Sequence, residues 1–135
     1  MVKIFDNKFV HFGRSGELPV CLKPLEYPEI KEKERNISFA GFICRKLLIT
    51  SANQNDFYVL CTDQIDVKHP NATTPYKDID EVLIMFNTRL SLLNMQLIAE
   101  KYEERDVAWE MFHVPVDYRK VSRADLEMVI EELFK

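Results

Sequence analysis

Along residues 78–102, DIDEVLIMFNTRLSLLNMQLIAEKY, apolar side chains fall at Ile79, Leu83, Phe86, Leu90, Leu93 and Leu97. Steps of three and four stack them along one side of a helix, and the spacing predicts a long helix from Asp78 to about Tyr102. Thr74 before Pro75, or Asp78 with Glu81 three residues on, supplies a start signal. Val82, Met85, Leu92, Met95, Ala99 and Tyr102 fall on other faces, so such a helix is apolar on nearly every side and needs cover on nearly every side. About 25 residues make roughly 38 Å of helix, the whole diameter expected of a compact chain of this length, roughly 35 to 40 Å. The surplus surface points to a second copy of the chain, with Met85, Arg89, Leu92, Met95, Ala99 and Tyr102 as the dimer or partner interface. Residues 103–116 read either as a continuation of the helix to about Phe112 or as a strand ending at Pro115.

Before this stretch the pattern is that of strands. Lys3-Ile4-Phe5 and residues 8–12 flank Asp6-Asn7 and predict a hairpin. Gly13-Arg14-Ser15-Gly16 reads as a turn, since it lacks the spacing of a phosphate loop and a following helix. Residues 18–22, bounded by Pro19 and Pro24, predict an edge strand or extended segment. EYPEIKEKER over 26–35 reads as a charged, proline-interrupted connection. Residues 36–50 and 56–67, joined by the turn formers of 51–55, predict a long antiparallel hairpin. Gly41 within it marks a bulge or a close approach. Residues 68–74 read as a loop. At the other end, Ser122 with Asp125 is a capping signature, and Leu126, Val129, Ile130 and Leu133 form the stripe of a C-terminal amphipathic helix. The expected fold is one α+β domain over residues 1–135: an antiparallel sheet of four to five strands built from the N-terminal two thirds, covered by the long helix and the C-terminal helix.

Composition changes this picture little. The chain has 135 residues, 47% of them hydrophobic and 30% charged, and a net charge of −4. That balance fits an ordinary globular protein and argues weakly against one that coats nucleic acid. No apolar run reaches the length of a membrane span, and the start lacks the pattern of a secretion signal, so a cytoplasmic location is expected. Cys21, Cys44 and Cys61 form no C-x-x-C pair and read as packed thiols.

Candidate chemistry is sparse. His11, His69 and His113 stand at no metal-ligand spacing from one another or from a cysteine. The carboxylates of 103–106 and 127–132 read as solvated faces rather than an acid/base pair in a cleft. The exception is Arg119, Lys120 and Arg123, three cations around the N-terminus of the last helix, where free amides and the dipole favour an anion. With no catalytic set and no cofactor signature, the expectation is a non-enzymatic interaction or regulatory protein, homodimeric through the long helix. The alternatives are phosphate or nucleic-acid binding at the basic cluster, or a small enzyme whose site the sequence does not display.

Overall fold

A computed structural model describes all 135 residues and places them in two antiparallel-rich sheets and one helix. The larger sheet has five strands in sequence order: β3 (Glu29–Phe39), β4 (Phe42–Ser51), β5 (Gln54–Thr62), β6 (Val82–Leu90) and β7 (Leu93–Ile98), all antiparallel to their neighbours. Strand alternation sorts the side chains into two layers. Leu47, Ile49, Phe57, Val59 and Cys61 point to one face, where Tyr76 and Ile79 from the loop between β5 and β6 cover them. Asn71 anchors that loop, its amide donating to the carbonyls of Ile79 and Glu81 at 2.6 and 2.9 Å. Cys44, Leu60 and Ile84 point to the opposite face, against Ile37, Phe42 and Ala99.

A smaller sheet joins β1 (Val2–Ile4), β2 (Asn7–Val10) and the short β8 (Arg119–Lys120), with β8 parallel to β2. Helix α1 (Arg123–Glu132) packs on it through Leu126 and Ile130 against Phe9 and Cys21. Ser122 caps α1 by accepting from the Asp125 amide, as the sequence signature requires. The two sheets meet where Leu22 bridges to Leu90 at the end of β6.

The long helix over 78–102 is not formed. Its residues make the β6–β7 hairpin, turning at Ser91 and Leu92 with Ser91 in the left-handed region at φ 53°. Two features of the same letters explain the outcome. VLIMF is a continuous apolar run, which suits a strand covered on both faces, and LNMQL alternates with a strict period of two. Leu83, Phe86 and Leu97 do share a side, but across two paired strands, Phe86 facing Leu97. A turn without Gly, Pro, Asn or Asp left nothing in the sequence to mark the reversal.

Three further expectations are corrected. Residues 29–35 belong to an edge strand, because a strand held by its ladder to β4 on one side needs no apolar face, and alternating charge protects its free edge. Residues 36–50 do not form one strand: Ala40 and Gly41, both at positive φ, turn the chain between β3 and β4. Residues 103–116 form neither a helical continuation nor a strand; they run without regular structure apart from a single 3-10 turn at Trp109–Phe112. The result is an α+β fold dominated by strands, with one helix. That helix is neither long nor apolar enough to cross a membrane.

Candidate interaction surfaces

The chain beyond β7 is the least covered part of the molecule. From Glu100 to His113 every side chain is exposed, although Val107, Trp109, Met111 and Phe112 lie among them. Trp109 is 70% exposed, and Met111 and Phe112 are each 65% exposed. The 3-10 turn sets Trp109 and Phe112 side by side, their rings 6.1 Å apart. Only Tyr102 folds back, edge-on to Phe42 at 5.7 Å. Acidic groups Glu103, Glu104, Asp106 and Glu110 are interspersed along this strap.

Across the molecule, an apolar cleft of about 630 Å³ lies between β1, the Leu18–Val20 segment and α1. Val2, Ile4, Leu18, Val20, Ile130 and Leu133 line it, and Lys3, His11 and Arg123 stand at its rim. Arg123 also ties the cleft together. Its guanidinium pairs with Glu17 at 2.7 Å and Glu127 at 2.9 Å and donates to the Leu18 carbonyl at 2.8 Å.

The basic cluster read from the sequence is therefore divided. Arg119 and Lys120 lie exposed on β8, stacked at 5.1 Å over Phe9 and 5.4 Å over Phe12, while Arg123 is engaged by two carboxylates. The residues read as a helical interface are also dispersed by the hairpin. Met85, Ala99 and Tyr102 gather near Phe42 and Cys44. Arg89 and Met95 lie at the far end of β6 and β7, and Leu92 projects from the turn, 69% exposed.

The chain matches no family model, no curated protein and no solved structure.

One polar network, which the sequence did not announce, lies at the covered face of the larger sheet. Arg45 bridges Glu81 at 2.7 Å and Glu32 at 2.9 Å, and the buried Cys61 thiol donates to Glu81 at 3.1 Å. Burial, then the Glu81 carboxylate beside it, pushes the Cys61 thiol up to about 12. A nucleophilic cysteine needs the opposite shift, toward thiolate near neutral pH. Cys21 and Cys44 are buried and also shifted upward by desolvation. The network holds β4 to the β6 entrance; it does not activate a thiol.

Proposed function

We propose that this chain is a non-enzymatic interaction protein whose partner is a second copy of itself. The observation that carries the reading is area: the chain exposes 9815 Å², where a compact monomer of its mass exposes about 7,400 Å². An excess of roughly 2,400 Å² is more than one partner contributes to a stable interface, about 800 Å². The strap exposes Trp109, Met111 and Phe112 at 70%, 65% and 65%, residue types that anchor interfaces. The apolar cleft beside α1 suits those side chains, and Lys3 in its lining complements the strap's acidic residues. Reciprocal seating of each strap in the other copy's cleft gives a closed, two-fold dimer. This surface is not the face of 78–102 that the helical spacing points to, because that segment is a hairpin.

Trp109 is the single tryptophan, so its fluorescence reports the contact directly. Raising the protein concentration shifts its emission to the blue, and light scattering over the same range gives twice the chain mass. Trp109→Ala and Leu133→Glu each return the mass to one chain. A wild-type monomer at tens of micromolar, with unshifted emission, defeats the reading.

A second reading has a narrower basis. Arg119 and Lys120 are consecutive on β8, over Phe9 and Phe12 respectively and without a carboxylate partner, shortly before the N-terminus of α1. If they hold a phosphate-bearing ligand, affinity for single-stranded DNA falls steeply with salt and is lost on reversing both charges.

A further inference from the structure

The two outer strands of the larger sheet are guarded very differently. β3 carries Glu29, Lys31, Glu32, Lys33, Glu34 and Arg35, and its register slips between Glu32 and Glu34 and again between Glu34 and Ile37. Charge and bulges of that kind keep a free edge from pairing with another chain. β7 has none of them: LNMQLI holds no charge, proline or glycine, and it runs in unbroken register with β6. A regular, uncharged edge is a template for one more strand.

Backbone alternation fixes which groups lie on that edge. The Ala99 amide donates to the Ile84 carbonyl at 2.8 Å, and the Arg89 carbonyl is taken on its far side by the Lys23 amide at 2.9 Å. Hydrogen-bonded pairs alternate along an antiparallel ladder. Leu93, Met95 and Leu97 therefore bond to β6, while Asn94, Gln96 and Ile98 turn their amides and carbonyls outward. These outward groups have no partner within the protein, and β7 is exposed everywhere but at Met95. The hairpin is also thinly supported from behind. β6 pairs with β5 only from Val82 to Met85, and beyond that the strands part and β6 leans on Leu22 and Lys23. A two-stranded ribbon is marginal in water; a third strand secures it.

The edge is complementary to itself. A second β7 running antiparallel about a two-fold axis at Gln96 sets Gln96 against the partner's Gln96, and Asn94 against the partner's Ile98. This register engages every outward amide and carbonyl and brings Leu97 beside the partner's Met95 on one face. The Gln96 carboxamide both donates and accepts, so it pairs with its own copy. Past Ile98 the chain then runs beside the partner's Leu93, at the end of the hairpin where Leu90 reaches the apolar cleft next to α1. Trp109 lies about ten residues further, within a reach of roughly 35 Å. Six residues of edge make a small contact alone, and the strap supplies the rest of the area that a stable interface needs, about 800 Å² from each partner.

We propose that the self-association of this chain, on which this step rests, is sealed by β7: the strands of two copies pair antiparallel and join their five-stranded sheets into one.

The test is amide hydrogen exchange, read residue by residue in the whole protein at a few micromolar and at several hundred micromolar. Asn94, Gln96 and Ile98 are expected to slow by ~10-fold or more at the higher concentration, and Met95 and Leu97, already bonded to β6, to change far less. Gln96→Pro removes an amide that β6 does not use. It is expected to weaken association by ~10-fold or more with an unchanged circular dichroism spectrum, and Gln96→Thr to keep both fold and association. Dimers by light scattering in which Asn94, Gln96 and Ile98 exchange equally fast at both concentrations, or in which β3 is protected instead, overturn the β7 seam and leave the strap contact standing. So does a folded Gln96→Pro chain that associates as the wild type does. Protected β7 amides with unshifted Trp109 emission support the seam and remove the strap contact. A monomer at both concentrations overturns the two together.

Discussion

The Tyr76 hydroxyl donates to the Asn87 carbonyl, in the region where β6 has parted from β5. Tyr76 reaches that position because its ring is wedged edge-on between Phe57 and Phe86, with centroids at 6.4 and 5.7 Å, and is almost completely buried. A side chain from the covering loop thus replaces a bond that the sheet would otherwise make. Tyr76→Phe keeps the aromatic packing and removes only that bond. The expected cost is about 1–3 kcal/mol, read as a lower urea midpoint with an unchanged denaturant slope.

The Cys61 thiol gives the protein an alkaline limit. Its ordinary value of 9.0 is raised to about 12 by burial and by Glu81. The folded chain therefore holds this proton when the unfolded chain has lost it. Stability from this group is complete below about pH 9 and is lost as pH climbs toward 12, at up to ~1.4 kcal/mol per pH unit. Tyr76, also raised by burial from 10.0, adds to the loss above about pH 10. Urea midpoints measured from about pH 8 to pH 11 should fall in this way, and Cys61→Ala should flatten the first part of the slope.

At the start of α1, Ser122→Ala removes the acceptor for the Asp125 amide and should cost about 1 kcal/mol. Arg123→Met should cost about 1–2 kcal/mol, because Glu17, Glu127 and the Leu18 carbonyl all lose their shared donor. The two losses should fall short of additive in a double-mutant comparison, since the residues are adjacent.

Trypsin should cut first after Lys101 or Arg105, in the strap, and only later after Lys31 or Lys33, whose backbone is held in β3. Dilution below the association range should speed the first cut. An equal rate at all protein concentrations would separate the strap from self-association.

Some of this architecture was legible in the residues. Ser122 and Asp125 marked the start of α1, and Leu126 and Ile130 its buried side, because a helix cap and a stripe are local and leave their full record in neighbouring letters. The β4–β5 hairpin was readable for the same reason: Phe57, Val59 and Cys61, at every second position of one strand, share a buried face. The basic residues Arg119, Lys120 and Arg123 were visible as a cluster, but not the carboxylates of Glu17 and Glu127 that divide it.

What the sequence by itself determined is thus the capped last helix and the strands of the central hairpin, specified by caps, stripes and alternation among near neighbours, whereas the cover over Cys21 comes from Leu126 and Ile130, far along the chain. Only the tertiary structure decided that 82–98 is a hairpin rather than a helix, and that β5 and β6 part around Tyr76. Leu83, Phe86, Leu90, Leu93 and Leu97 satisfy a helical spacing and a pair of strands equally well. The choice falls to backbone partners that the rest of the chain provides: β5 offers β6 a ladder, and β7 completes it on the other side. A periodicity records which side chains must be buried, but not whether the hydrogen bonds of their backbone close within the segment or across to a neighbour.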